Sequence, residues 1–308
     1  MTQARYRYCI LGLGNIGVLV SYFLRHKRPI AISRRGKGRK EKIVLRGEGG
    51  EIWSGEMLVY DIGAPVRCDF ALLALKAYDI PWGISLLSGR AENVLILSNG
   101  LGLIEEASKA LGRGRALASS ITYGLTSCGD FCAELRGIGE IIIGGPGEEM
   151  TYEKALEISG DIERGGGRAR AVERIEPYIW LKGIVNSAIN PITAILNKPN
   201  GVLLENRSAM EIARMVALEG KSVAERKGVE LFEEPFEAII RVAERTRDNL
   251  SSMLQDVMNR RRTEIDFING YIASEGMRLG IDARVNSTLY HLIKAVESYY
   301  LDKNFLKK

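Results

Sequence analysis

The sequence predicts an α/β Rossmann-type N-terminal domain with a mostly parallel sheet, followed by an all-helical C-terminal domain. Three observations carry this. A glycine-rich turn, Gly12-Leu13-Gly14-Asn15-Ile16-Gly17, lies between a β-prone run and an apolar helical stretch. Short apolar runs then alternate with helical segments through the first half. From about residue 173 onward, almost every segment has helical apolar spacing.

Taken in order, residues 6–11 are apolar and end at glycine, 16–24 have helical spacing, and 30–33 form a second short strand. Strand, tight turn, helix, strand is one βαβ unit. Apolar runs at 71–75 and 94–97 each leave into a polar or glycine-containing turn, and further strand-like material lies at 116–122, 141–143 and 168–172. The predicted helices after that are 176–197, 208–227, 236–249, 263–279 and 287–300. This gives a nucleotide-binding domain at 1–172 and a helical substrate domain at 173–308, with a ligand expected in the crevice between them.

With 308 residues, 46% hydrophobic and 26% charged, the chain has the composition of an ordinary globular protein. Its net charge of +5 is modest, and the basic cluster Arg25, Lys27, Arg28, Arg34, Arg35, Lys37, Arg39, Lys40 is local. A nucleic-acid binder would carry a larger basic excess with interleaved aromatics, so no nucleic-acid partner is expected. No uninterrupted apolar run reaches the roughly 18 residues of a membrane span. Gly12, Gly14, Asn15 and Gly17 interrupt the N-terminal apolar stretch that would otherwise resemble a signal peptide. The expectation is a cytoplasmic protein with no membrane partner. Cys128 and Cys132 have no second Cys or His pair nearby, so no metal is expected, and a disulfide between them is left open.

The glycine turn has the chemistry of a dinucleotide site. The first glycine permits the tight turn, the second admits a pyrophosphate to the backbone, and the third lets helix and strand pack closely. The helix N-terminus adds amide donors and a favourable dipole. At the end of the second strand an acidic residue would bind a ribose 2′-hydroxyl, whereas arginine accommodates a 2′-phosphate. Ser33-Arg34-Arg35 stands there, so NADPH is the expected cofactor, contacted by Arg34.

Residues 180–201 are mostly apolar, with Lys182, Asn186, Asn190, Thr193 and Asn197 as polar exceptions at steps of four, four, three and four. That spacing places them on one stripe of a helix. A solvated stripe would mix Glu, Lys and Arg; one cation with a column of amides instead suits a cleft-facing site. Lysine fits carbonyl reduction, because an ammonium both stabilises the developing oxyanion and donates the proton. Asparagines hold hydroxyl and carboxylate oxygens without adding charge. Only His26 and His291 exist, both outside any motif, which disfavours a histidine mechanism. Lys76 and the Ser98-Asn99-Gly100-Leu101-Gly102 turn each follow a strand where α/β ligands bind. Residues 249–270 have the pattern of an ordinary surface helix.

The segments GLGNIG, LALKAYD, SNGLG, LKGIVNSAINPITAILNKPNG and SSMLQD with RRRTEIDFING resemble the signature segments of the ketopantoate reductase family, in the family's order and over nearly the whole chain. The resemblance implies NADPH-dependent reduction of 2-dehydropantoate to (R)-pantoate, on the route to pantothenate and coenzyme A. It implies Lys182 as proton donor and Glu264 beside it and the cofactor. It also implies that Asn99 touches cofactor and substrate, and that Asn186, Asn190, Asn200 and Ser252 bind substrate. Gly12, Leu13, Gly14, Asn15, Ile16, Gly17, Arg34, Lys76 and a backbone contact at Leu125 would hold the cofactor. The family's Thr-rich strand is matched at 118–125 only by Thr122, which weakens the Leu125 assignment. Arg35 leaves NADH open as a weaker cofactor, and a homodimer is left open as the assembly. Two alternatives stand beside this reading: a reductase of another branched 2-oxo acid, and a non-catalytic NADPH-binding sensor. The sensor would have no use for Lys182, Glu264 and the asparagine column.

Overall fold

The structure, a computed structural model, describes residues 4–301. The chain falls into two units: one runs up to Ser98 and resumes over Leu103–Ile175, and the other combines Asn99–Gly102 with everything from Glu176 onward.

The first unit holds β1 (Arg5–Leu11), α1 (Asn15–Phe23), β2 (Ile30–Ile32), β3 (Arg39–Gly47), β4 (Gly50–Tyr60), β5 (Arg67–Leu73), α2 (Ile80–Leu87), β6 (Ala91–Ile96) and α3 (Leu103–Leu111). It continues with β7 (Ala116–Ile121), β8 (Gly124–Gly129), β9 (Cys132–Gly137), β10 (Ile141–Gly145), α4 (Glu149–Arg164) and β11 (Ala169–Arg174). The strands form one sheet in the order β11-β10-β7-β6-β5-β1-β2-β4-β3-β9-β8. β1 pairs in parallel with β2 and β5, and β5–β6 and β6–β7 continue in parallel. Antiparallel pairing occurs at β10–β7 and in the hairpins β3–β4 and β8–β9. The central strands are buried without alternation, as strands covered on both faces must be. Tyr8, Ile10, Leu72, Leu95 and Leu117 pack with Val20 and Phe23 of α1 and with Ile158 and Ile162 of α4. The sheet therefore aims the C-terminal ends of β1, β5 and β6 at one edge, and the glycine turn, Lys76 and the Ser98 turn all leave from there.

Arg39 and Lys40, the end of the local basic cluster, open β3, which pairs with β4 and whose Ile43 and Leu45 are buried. Charge at the start of that run masked its alternation. Cys128 and Cys132 are joined by a disulfide across the β8–β9 hairpin, while Cys9 and Cys68 are buried free thiols.

The second unit contains α5 (Glu176–Leu196), α6 (Val202–Glu205), α7 (Arg207–Arg226), α8 (Pro235–Arg245), α9 (Ser252–Met258), α10 (Asn269–Leu279) and α11 (Arg284–Leu301). α5 is long and apolar enough to cross a membrane, but 72% of its most apolar window is buried, so it is a core helix. Ile184 and Ala188 pack with Ala213, Val216 and Ala217 of α7 and Ile239 of α8. Gly220 of α7 allows this approach, since a Cβ there would stand 2.8 Å from Ile184.

Two expectations are corrected here. Asn197 does not continue the polar stripe: α5 ends at Leu196, and Asn197 adopts a left-handed φ of 51° and is exposed. Lys198 N donates to Thr193 O at 3.2 Å, which is the closing bond of a Schellman cap, and Pro199 prevents any continuation. The helix predicted over 263–279 begins only at Asn269. Thr263 N is taken by the buried Glu297 carboxylate at 2.6 Å, a short 3-10 turn spans Ile265–Phe267, and Ile268 leaves helical geometry.

Pro191 lies inside α5 without ending it. Its missing amide would have bonded to Ser187 O. Asn269 Nδ2 donates to that carbonyl at 2.8 Å instead, and also to Asn286 Oδ1 at 3.1 Å, so the vacancy in α5 anchors the start of α10.

Ile184→Ala should lower the unfolding free energy by about 2–5 kcal/mol through the cavity it leaves at the α5–α7 contact. Denaturant unfolding measures this, and a loss below about 1 kcal/mol would mean that the packing relaxes around the site.

Candidate active site

α5 presents Lys182, Asn186, Asn190 and Thr193 along one face. Lys182 and Asn186 are half-buried, whereas Asn190 and Thr193 are buried. Burial lowers the pKa of Lys182 to about 8, and the Glu264 carboxylate partly offsets that fall.

Glu264 is itself buried and is fixed by the irregular segment before α10. Glu297 takes the preceding amide and pairs with Lys294 at 2.8 Å. Asn99 Nδ2 donates to Glu264 Oε2 at 3.3 Å. Asn99 reaches that carboxylate because its loop is pinned to the second unit, with Leu101 N donating to Phe267 O at 2.8 Å. Gly183 makes room for Leu101, where a Cβ would stand 2.8 Å from the leucine side chain. Gly102 turns with φ +82° against Tyr271. Lysine, carboxylate and amide thus meet from three separate stretches of sequence.

Further along α5, Asn190 Nδ2 approaches Ser252 Oγ at 3.5 Å, and Thr193 Oγ1 lies 2.7 Å from Ser251 Oγ in a hydroxyl–hydroxyl hydrogen bond. Ser251 also caps α9 by accepting from Leu254 N at 3.1 Å. Asn200 Nδ2 donates to Thr246 Oγ1 at 2.9 Å, and that hydroxyl donates onward to Val242 O. Thr246 can therefore only accept from Asn200, which orients the amide. Asn200 Oδ1 is left buried with no hydrogen-bond partner among the described residues, an acceptor suited to a hydroxyl donor from a ligand.

In the first unit the glycine turn meets its geometric requirements. Gly12 has φ +95°, and a Cβ there would stand 2.5 Å from Ala74 O. A Cβ on Gly17 would be 2.1 Å from Gly12 O, whereas one on Gly14 would meet nothing within 4 Å. Two glycines are thus demanded by packing, and the middle one leaves open space over the turn. No side chain caps α1 and no acid occupies its first turn, so its amides suit a pyrophosphate. Leu13 is buried, and Asn15 and Ile16 are half-buried at the head of the helix.

Arg34 lies two residues beyond the end of β2, after Ser33, and is exposed. Its guanidinium stacks over Trp82 at 4.6 Å and lies 3.6 Å from Asp79. Arg35 pairs with Asp130 and lies over Phe131. Lys76 precedes the 3-10 turn Ala77–Asp79. Leu125 sits in β8, paired with Leu135, at the end of the sheet order and packed on the core. The structure thus groups Lys182, Glu264 and Asn99, groups Asn190 with Ser252, and keeps Asn200 with Thr246. Trp82, Asp79, Glu297, Ser251 and Thr246 were not foreseen. Ser251 alone carried a signal, as a serine ahead of an apolar run.

This combination defines a class of protein: a Rossmann-type unit joined to an all-helical unit with a lysine-centred polar site. Residues 8–147 match the family model for ketopantoate reductase PanE/ApbA, and residues 174–297 match the model for its C-terminal part. The chain belongs to the ketopantoate reductase family. It is 40% identical over 300 residues to the 2-dehydropantoate 2-reductase of Pyrobaculum aerophilum, covering 94% of this chain and 97% of that one. Among solved structures, D-mandelate dehydrogenase in a ternary structure with NADH and anilino(oxo)acetate shares its fold, with a TM-score of 0.85 at 20% identity, covering 96% of this chain and 99% of that one. The dimeric ketopantoate reductase of Staphylococcus aureus does so with a TM-score of 0.81 at 18% identity, with the same coverage of 96% and 99%.

The lowered lysine pKa has a measurable sign. An unfolded lysine keeps its proton to about 10.5, so between pH 8 and 10.5 the unfolded chain binds more protons than the folded one. The contribution of Lys182 to stability should therefore rise with pH across that window, and Lys182→Met should remove the rise. Glu264→Gln should push the lysine titration further down in an NMR titration of labelled lysine; an unchanged or higher midpoint would refute the pairing.

Proposed function

We propose that the chain reduces 2-dehydropantoate to (R)-pantoate with NADPH, serving the synthesis of pantothenate and coenzyme A. The observation that carries this reading is the half-buried Lys182 beside Glu264 and Asn99, on a helix that also presents Asn186 and Asn190. Family membership and the 40% identical relative named 2-dehydropantoate 2-reductase support it.

Bound NADPH would supply the hydride to the C2 carbonyl; the remaining work falls to the chain. The Lys182 Nζ ammonium would hold the carbonyl oxygen and give it a proton as negative charge develops. With a pKa of about 8, the group is mostly protonated at neutral pH yet acidic enough to transfer its proton readily. Glu264 would keep the ammonium oriented and limit the fall in its pKa. Asn99, Asn186, Asn190 and Ser252 would bind the substrate's carboxylate and hydroxyl, with Asn200 Oδ1 accepting from a hydroxyl. Gly12 to Gly17 would take the pyrophosphate, Arg34 the 2′-phosphate, and Lys76 and Leu125 would complete the cofactor's surroundings. On this reading residues 1–172 serve the cofactor and 173–308 the substrate, the enzyme is cytoplasmic, NADH is the weaker alternative cofactor, and a homodimer is left open as the assembly.

NADPH oxidation with 2-dehydropantoate, compared with other branched 2-oxo acids, tests the assignment. Lys182→Ala should lower kcat by about 10²–10⁴-fold. The wild-type rate should fall as pH rises through about 8, where the ammonium is lost. Equal turnover of the other acids would move the assignment to a broader 2-oxo acid reductase, and cofactor binding without turnover would favour the sensor. Arg34→Ala should raise KM for NADPH by about tenfold or more while leaving KM for NADH nearly unchanged. A parallel rise for both cofactors would remove Arg34 from the 2′-phosphate.

A further inference from the structure

The first unit carries a second basic feature, at the opposite edge of the sheet from the glycine turn. A cavity of about 290 Å³ opens there, lined by Arg5, Arg67, Arg90, Glu92 and Arg115 among others. These residues stand at or beside the N-terminal ends of β1, β5, β6 and β7. The β1 and β5 strands each run seven residues from this edge towards the Gly12 turn and Lys76. At about 3.3 Å per residue the two edges are roughly 20 Å apart.

The charges in this cavity do not balance. Arg5 is matched: it donates to Asp69 at 2.7 Å and to Glu92 at 2.7 Å, and Asp69 also receives Arg7 at 3.2 Å. The nearby carboxylates are engaged by these contacts. Arg67, Arg90 and Arg115 have no carboxylate partner among the described residues. Arg115 is held by three backbone carbonyls, Glu92 O at 2.8 Å, Ala91 O at 2.9 Å and Leu111 O at 3.0 Å. Arg90 donates to Ile62 O at 3.1 Å and Ala64 O at 3.3 Å. Carbonyls fix a guanidinium in place without cancelling its charge. A further sign of positive potential comes from α4, where Lys154 is held below its usual pKa by burial and then by Arg115.

Two half-buried guanidiniums anchored by carbonyls and an exposed third around one concavity repel one another until an anion joins them. The planar fork of arginine matches phosphate oxygens in pairs. The basic groups converge on one small cavity instead of forming the stripe that a nucleic-acid backbone would need. We propose that this cavity is a second anion site, which takes the phosphate or diphosphate group of a small phosphorylated metabolite. It is separate from the nucleotide turn on the same unit and does not depend on the cofactor assignment.

The test titrates inorganic pyrophosphate into the full chain, with and without saturating NADP+, against sodium chloride at matched ionic strength, and follows thermal unfolding. The expected result is a saturable rise in Tm of about 2–4 °C with NADP+ present. Arg67→Glu, at an exposed position, should abolish the rise while leaving NADPH oxidation unchanged, and Arg67→Lys should keep part of it. An equal rise in chloride, a full response in Arg67→Glu, or a response seen only without NADP+ would each overturn the proposal. The last of these would place the anion at the nucleotide turn instead.

Discussion

An ammonium group set into an apolar helix face loses hydration that a carboxylate can only partly replace. Lys182 is in that position, and much of the second unit is arranged around the consequence. Glu264 has to be brought to it, so the chain before α10 abandons helical geometry and is held by the buried carboxylate of Glu297. Asn99 has to reach Glu264, so its loop packs with the helical unit through Leu101, and α5 carries a glycine where that leucine lies. Burial lowers the pKa of this lysine to about 8, and the carboxylate brought to it limits the fall.

The glycine turn obeys a different constraint, which is space. Gly12 and Gly17 are fixed by neighbouring backbone and by each other, whereas Gly14 has open space above it. Only the middle position therefore speaks of a ligand; Gly12 is needed for the approach of Ala74 and Gly17 for the approach of Gly12 in any case. At the end of β2 both arginines already have partners, Arg34 in Trp82 and Asp79, and Arg35 in Asp130 and Phe131. A 2′-phosphate would meet a guanidinium already held in place, with a carboxylate nearby to compete for it.

The sequence made the α/β-then-helical order legible, because continuous apolar strands and the periodicity of α5 and α7 are properties of local composition. The lysine and the asparagine column were visible through the spacing of polar residues in an apolar run. Asn197 was misread because spacing does not register the left-handed cap that ends the helix one residue earlier. The stretch 249–270 hid its role for a related reason. Its pattern is that of a surface helix, yet Glu264 is buried and bonded to Asn99, and the Thr263 amide just before it is taken by Glu297; both partners lie far away in sequence. Asp79 and Trp82 were missed because nothing near Arg34 in sequence indicates what stacks on it. Side chains that act through distant partners leave little local trace.

Pro191 and Asn269 also share a dependence across the helical unit. One withholds an amide and the other supplies it, so while Pro191 is present Ser187 O depends on Asn269. Restoring an ordinary residue at 191 would give α5 its own donor and leave the Asn269 amide competing for an occupied acceptor. Removing Asn269 alone would strand the carbonyl. The two positions therefore form one heritable unit: a change at either is tolerated best when the other has already changed, and their effects will not add.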